Sequence, residues 1–198
     1  MKRIIISSPT SFLNEASIIN ALFDEGLDLF HLRKPNYSEN EIIEIVEKIN
    51  FQNRSKIVLH QQHQVVEKLK IKRIHFSESE RLKTSEADLQ KWKTKGFTLS
   101  TSIHEMKNYD LLSDVFSYTF FGPVFESISK RDYKPLSKEL IQLEKNDNRK
   151  IKIFAIGGIT FDKMEKLEQA NFDGYALLGA IWNKEMNEIK ELKNGISA

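Results

Sequence analysis

The feature that most constrains the fold is an alternation of short apolar runs with amphipathic stretches, which recurs eight times along the 198 residues. Runs rich in β-branched and aromatic residues are typical of strands, and an apolar residue at every third or fourth position is typical of a helix. The predicted strands are Arg3–Ser7, Leu27–Leu32, Lys56–Leu59, Arg73–Phe76, Phe97–Ser100, Ser117–Phe121, Ile151–Ala155 and Gly174–Leu178. Because eight alternating units favour a closed parallel sheet, we predict an α/β fold, a single-domain (β/α)8 TIM barrel over residues 1–198.

The stretches between the strands differ in how clearly they predict helices. Glu39–Ile49 carries an apolar stripe behind Ser38, a good N-cap, and a second helix is expected after Thr160. Glu78–Lys95 starts with polar residues that fit a loop as well as a helix. An open doubly wound sheet is the alternative fold, but its phosphate loop needs glycine after the first strand, and Ser7–Thr10 contains none.

Composition excludes several classes of function. Lys and Arg number 30 against 28 Asp and Glu, so the net charge of +2 predicts no general attraction to nucleic acid or to a membrane. The start of the chain has too short an apolar run for a signal peptide or a membrane span. Without cysteine there is no disulfide, thiolate metal site or cysteine nucleophile. We expect a cytoplasmic protein.

Two glycine-containing turns are candidate phosphate sites. Gly157 and Gly158 follow the seventh predicted strand, and residues without Cβ let backbone N–H groups approach a phosphate closely at the start of a helix. Leu178 and Gly179 follow the eighth strand in the same way. Barrels often place a phosphate site after these two strands. A plain tight turn at the first position and close helix packing at the second are the alternatives.

Cations and hydroxyls follow two other predicted strands. After the sixth strand, Ser127, Ser129 and Lys130 suit a pyrophosphate, although a solvated loop is the alternative. After the second strand, Arg33 and Lys34 suit the same anion, although an ion pair with a nearby carboxylate explains them equally well.

Three histidines need explanations of their own. His31 is expected to pack or hydrogen-bond rather than to ionise. His60 and His63 are expected to be solvated or to cap an element, since two histidines without a third ligand make no metal site.

Taken in order, these segments resemble the thiamine phosphate synthase and thiazole tautomerase family of barrels, from the first strand to Trp182. The matching phrases are His31-Leu32-Arg33, Ile74-His75-Phe76, Ser102-Ile103-His104, Gly122-Pro123-Val124-Phe125 with Ser127, Ser129 and Lys130, Ile156-Gly157-Gly158-Ile159, and Gly174-Tyr175-Ala176.

The resemblance implies a transferase of thiamine biosynthesis that joins a hydroxymethylpyrimidine pyrophosphate to a thiazole phosphate and releases pyrophosphate. Its partners are therefore small phosphorylated molecules, and Mg²⁺ is the implied cofactor. The implied catalytic residues are Arg33, Lys34, Ser102, Ser129 and Lys130. The implied substrate-binding residues are Ser127, Gly157, Gly158, Leu178 and Gly179. A homo-oligomer is compatible with the resemblance, which leaves the oligomeric state open.

The chain departs from the family pattern around the metal. Gln61 stands where the family has a metal-binding Asp, so of the two implied metal residues, Gln61 and Glu80, only Glu80 is a carboxylate. Pro35 replaces a family lysine, with Lys34 adjacent. Pro123 stands where the tautomerase branch can have histidine, which favours the synthase. Thiazole tautomerase and a non-catalytic binder of thiamine or thiazole phosphate remain the alternatives.

Overall fold

A computed structural model describes residues 1–125, 142–146 and 148–182 of the chain. The described residues contain eight strands that close into a parallel barrel in the order in which they occur along the chain. The strands are β1 Lys2–Ile6, β2 Leu29–Leu32, β3 Ile57–Leu59, β4 Arg73–Phe76, β5 Thr98–Ile103, β6 Phe116–Phe121, β7 Lys152–Ile156 and β8 Gly174–Leu177. The predicted (β/α)8 barrel is therefore confirmed.

The helices of the described residues lie between the strands or after the last one, with two of them between β4 and β5. They are α1 Glu15–Asp24, α2 Glu39–Glu47, α3 Glu78–Lys83, α4 Glu86–Thr94, α5 Met164–Gln169 and α6 Gly179–Trp182. Short 3₁₀ turns cover Phe51–Lys56, His63–Val65, Met106–Asn108 and Phe161–Lys163. No helix in the described ranges has the length and apolar character needed to cross a bilayer.

Hydrogen bonds at the helix starts explain which predicted helices are observed and which differ. Ser38 caps α2 as expected, and Glu41 completes a capping box by accepting from the Ser38 amide. Ser77 and Glu80 form the same box at α3, so the polar start of Glu78–Lys95 is helical rather than a loop. Thr160 begins no α-helix directly, because the 3₁₀ turn comes first and α5 starts at Met164.

The chain divides into two compact units. The first contains Met1–Arg3 and Phe76–Leu177. Its strands pair in register with Ser102 beside Phe120 and Ile156 beside Ala176. Buried aromatic side chains fill its interior, and the rings of Tyr118 and Phe154 stack with centroids 4.8 Å apart.

The second unit contains Ile4–His75 and the segment that begins at Leu178. Its register sets Ile6 beside His31, and His31 beside Val58. The indole N–H of Trp182 donates to the backbone oxygen of Ile6 at 2.6 Å, and its ring meets Phe12 and Phe30 edge-on. These contacts of Trp182 hold the segment after β8 against the end of β1. The assignment of residues 1–198 to one domain stays a prediction.

Candidate active site

Gly157 and Gly158 form a turn directly after β7, which we call the glycine turn. Their φ angles are +94° and +64°, in the left-handed region that side chains with Cβ rarely adopt. A Cβ on Gly157 would lie 2.7 Å from Cα and Cβ of Pro123. Both the backbone conformation and this close approach require glycine at position 157.

The loop after β6 is hydrogen-bonded to the carbonyl side of the glycine turn. Val124 N–H donates to the oxygen of Ile156 at 3.0 Å, and Phe125 N–H donates to the oxygen of Gly157 at 3.1 Å. Within the described ranges, the amides of Gly157 and Gly158 donate to no protein acceptor. Among the described residues, nothing occupies these two backbone donors, and the phosphate site at the glycine turn stays a prediction.

Lys163 is a cation beside the glycine turn that sequence reasoning missed. Its ammonium group donates to the oxygen of Gly158 at 2.8 Å and lies 4.8 Å from the centroid of the Phe125 ring. The expected helix N-terminus is displaced to Met164, so Lys163 supplies the positive charge near the turn instead. A lysine five residues after Gly158 was the available signal.

Leu178 and Gly179 lie at the start of α6. The oxygen of Leu178 accepts from the amides of Ile181 and Trp182 at 3.1 and 3.3 Å, so the chain turns sharply after β8. Gly179 is partly exposed. In the part of the chain that the structure describes, its amide bonds to no acceptor. Ser127, Ser129 and Lys130 lie outside the described residues.

Arg33 follows β2, and one side-chain hydroxyl hydrogen-bonds to both its backbone oxygen and its backbone N–H. Ser7 Oγ donates to the oxygen of Arg33 at 2.9 Å and accepts from its N–H at 2.8 Å. The side chain of Arg33 is exposed, and among the described residues it hydrogen-bonds to none. The anion contact of Arg33 stays a prediction, which no hydrogen bond among the described residues opposes.

Lys34, the next residue, is buried. Its ammonium group donates to Glu15 Oε2 and to the oxygen of Thr10, both at 2.7 Å, and its exposed fraction is 0%. Burial raises the pKa of Glu15, and the hydrogen bond and charge of Lys34 oppose that shift. The geometry therefore differs from the expected anion contact, because the charge of Lys34 is neutralised by Glu15. The ion pair that the sequence left as an alternative is the one observed.

The two implied metal residues are already engaged. The amide oxygen of Gln61 accepts from the backbone N–H of Lys34 at 3.0 Å. Glu80 Oε2 accepts from the amide of Ser77 at 2.9 Å and from its hydroxyl at 2.6 Å. Mg²⁺ prefers charged oxygen ligands, so these residues do not fit a magnesium site built from two protein carboxylates.

Ser102 lies on β5, half-buried, and His104 follows that strand. His104 Nδ1 lies 2.6 Å from Glu78 Oε2, and Asn108 donates to the other oxygen of Glu78 at 3.5 Å. Glu78 is at the start of α3, so the pair connects the residues that follow two neighbouring strands. Glu78 therefore fixes the orientation of the half-exposed His104 ring.

Three buried histidines come together in the second unit, and we call them the histidine cluster: His31, His60 and His75. His31 Nδ1 lies 2.8 Å from His60 Nε2, and the rings of His60 and His75 stack with centroids 4.2 Å apart. His31 bonds within the protein as expected, whereas the prediction that His60 is solvated or caps an element is wrong. The missed signal is that each histidine lies at the C-terminal end of β2, β3 or β4, neighbouring strands of one sheet.

Burial keeps the histidine cluster uncharged. It lowers the pKa of His75 to about 3, with smaller contributions from the charges of His63 and Arg33. Burial is also the main reason that the pKa values of His31 and His60 lie well below their usual range. At neutral pH all three imidazoles therefore carry a nitrogen lone pair.

The family model for thiamine monophosphate synthase matches residues 4–181. The thiamine-phosphate synthase of Staphylococcus haemolyticus is 27% identical over 172 residues, which cover 83% of this chain and 79% of that protein. The crystal structure of thiamine phosphate pyrophosphorylase from Bacteroides thetaiotaomicron matches with a TM-score of 0.78 at 25% identity, covering 100% of this chain and 96% of that one. The Pyrococcus furiosus thiamine phosphate pyrophosphorylase, with a TM-score of 0.74 at 17% identity over 99% of this chain and 95% of that one, supports the fold alone.

The matched range begins in β1 and ends in α6, so it includes all eight strands and both glycine-containing turns. The segments that suggested the resemblance lie inside it in the expected order. The chain belongs to the thiamine monophosphate synthase family.

Proposed function

We propose that this chain is a thiamine phosphate synthase-like transferase of thiamine biosynthesis. It joins a hydroxymethylpyrimidine pyrophosphate to a thiazole phosphate. The bond from the pyrimidine methylene carbon to the pyrophosphate oxygen breaks, and a bond from that carbon to the thiazole nitrogen forms. The products are thiamine phosphate and free pyrophosphate.

The observation that carries the proposal is the glycine turn in a chain that matches the family from residue 4 to residue 181. Gly157 and Gly158 offer two amides without protein acceptors in the described ranges, and Lys163 adds a cation beside them. Such a site suits the phosphate of the thiazole substrate. Leu178 and Gly179, at the start of α6, are also proposed as substrate-binding residues.

Departure of pyrophosphate is the step that needs the most help from the protein. Positive charge develops on the pyrimidine methylene while negative charge grows on the leaving oxygen, so cations and donors aimed at the pyrophosphate lower the barrier. Arg33 is proposed for this role because its exposed side chain extends from a backbone held by Ser7. Ser127, Ser129 and Lys130 are proposed to bind the same pyrophosphate as Arg33. Ser102 is proposed as a polar group near the pyrimidine.

Mg²⁺ also stays a proposal for this chain. When bound, the ion neutralises pyrophosphate charge. The protein ligand proposed for it is the second carboxylate oxygen of Glu80, with phosphate oxygens of the substrate completing the set. Gln61 contributes no charge, so we assign no step to the ion.

The test is to incubate the purified chain with both substrates and Mg²⁺ and to measure thiamine phosphate and pyrophosphate. Equal amounts of the two products are expected. Arg33→Gln is expected to raise the KM for the pyrophosphate substrate by about tenfold or more, because a charged hydrogen-bond donor is lost. Lys56→Gln, which changes a lysine outside the proposed site, is the matched control.

Product formation no faster than without protein would overturn the proposal. In that case the same preparation distinguishes the alternatives. Aromatisation of a thiazole carboxylate phosphate without the pyrimidine identifies a tautomerase. Saturable binding of thiazole phosphate without turnover identifies a non-catalytic binder.

A further inference from the structure

We propose that the histidine cluster is a binding site for one transition-metal ion, with Zn²⁺ as the best fit. The proposal concerns His31, His60 and His75. It is independent of the transferase activity, because none of these residues is assigned to phosphate binding or to leaving-group departure.

The first argument is the convergence of the donor atoms. One ring nitrogen from each histidine lies within 4.8 Å of the others. Zn–N bonds are about 2.0–2.1 Å long, so three tetrahedral ligands bring their nitrogens to about 3.4 Å from one another. The pair formed by His31 Nδ1 and His60 Nε2 is at 2.8 Å, so metal binding would move these two nitrogens slightly apart and draw the more distant pairs of nitrogens together.

The second argument is the placement of the three residues on the backbone. His31 is in β2, His75 is in β4 and His60 follows β3 directly, so three neighbouring parallel strands deliver the ligands. His31 pairs in register with Val58, and Leu59 pairs with Ile74. Ligands held at strand ends change position less than ligands on long loops, so the cluster is largely prearranged.

The third argument is chemical selectivity. Three imidazoles form a nitrogen donor set, which suits Zn²⁺, Co²⁺, Ni²⁺ and Cu²⁺ and is poor for the hard ion Mg²⁺. The hydrogen bond between His31 and His60 holds one proton between two ring nitrogens. When a metal binds both nitrogens, that proton moves to the other nitrogen of the donating ring, so both imidazoles stay neutral and each presents a lone pair. Three protein ligands leave a fourth position for water or an anionic oxygen.

The stacked contact of His60 and His75 permits another explanation, namely that the cluster is only a packed, hydrogen-bonded part of the core. That explanation predicts no specific metal affinity. The two explanations therefore differ in a direct binding measurement on the unmodified chain.

The experiment starts from chelator-treated full-length protein titrated with Zn²⁺ in the presence of a chromophoric zinc indicator, without substrates. One strongly bound ion per chain is expected. Nitrogen-15 NMR of the imidazoles then reports which of the five histidines respond. Shifts of His31, His60 and His75 together support the site. No competition with the indicator, or shifts confined to His63 and His104, would overturn it.

A pair of variants gives a second readout. His60→Gln removes one proposed ligand, and because His60 follows β3, the change alters no strand residue. The variant is expected to weaken Zn²⁺ binding by more than about tenfold. His104→Gln removes an exposed histidine in the other unit and should leave binding unchanged. Equal binding by the two variants contradicts the proposal. Transferase activity enters none of these measurements, so failure of the metal site and failure of the proposed function are distinguishable.

Discussion

At the scale of single residues, two glycines with similar backbone angles offer a matched test of the glycine turn. Gly157 has φ +94° with Pro123 atoms where a Cβ would lie, and Gly96 has φ +80° with no atom within 4 Å. Gly96→Ala is expected to cost about 1–2 kcal/mol for its backbone angle alone. Gly157→Ala is expected to cost at least about 1 kcal/mol more, because Pro123 must move. Urea unfolding of both variants measures the difference.

The same two variants test the proposed phosphate contact. Gly157→Ala should also lose affinity for thiazole phosphate, measured by calorimetry at a temperature at which the variant is folded, whereas Gly96→Ala should bind normally. Equal affinities in the two variants would contradict a phosphate site at the glycine turn.

The neighbours Arg33 and Lys34 have the same charge but different surroundings. Lys34→Met removes the ammonium group that donates to the Glu15 carboxylate and leaves that carboxylate buried. The free energy of unfolding is expected to fall by about 3–5 kcal/mol near neutral pH. Adding Glu15→Leu should restore most of the loss, because no buried charge then remains. If Lys34 instead contacts substrate, Lys34→Met will reduce activity with little change in stability.

At the scale of elements, the two capping boxes separate a helix-capping role from a metal-binding role. Glu80 caps α3 and Glu41 caps α2 in the same way. Glutamine also completes a capping box, so Glu80→Gln and Glu41→Gln should each change stability by less than about 0.5 kcal/mol. Only Glu80→Gln removes a proposed ligand, so it alone should raise the Mg²⁺ concentration needed for half-maximal activity. An unchanged requirement would leave Glu80 with the capping role alone.

Local patterns predicted the elements well because each is decided by nearby residues. Arg73–Phe76 is the strand that was predicted, and Ser38 caps the helix expected behind it. Other strand ends differ by a few positions, since hydrogen bonding to neighbouring strands decides where each one stops.

The side-chain partners were harder to predict because they are distant along the chain. Lys34 and Glu15 are 19 residues apart, and His31 and His60 are 29 residues apart. Nothing local distinguishes a lysine that will meet a buried carboxylate from one that will meet a phosphate. The burial of His60 depends in the same way on β2 and β4, which lie on either side of β3 in the sheet.

At the scale of the whole molecule, the buried histidine cluster makes folding sensitive to acid. The pKa of His75 falls from 6.5 in the unfolded chain to about 3 in the folded one, and burial lowers those of His31 and His60 in the same direction. Between pH 6.5 and about pH 3, His75 therefore binds a proton in the unfolded chain but not in the folded chain. Stability is therefore complete above about pH 6.5 and falls as the pH decreases towards 3, by about 1.4 kcal/mol per pH unit for each fully affected histidine.

His75→Phe isolates one of these contributions. In metal-free protein, urea unfolding between about pH 7 and about pH 5 should show a smaller loss of stability on acidification for the variant. The difference in slope should approach about 1.4 kcal/mol per pH unit at the acidic end, because one histidine fewer takes up a proton on unfolding. The introduced phenyl ring can stack on His60 in place of the imidazole, so the variant retains a packed core. A slope equal to that of the unmodified chain would mean that His75 takes up its proton in the folded state and is less enclosed than its 2% exposed fraction indicates.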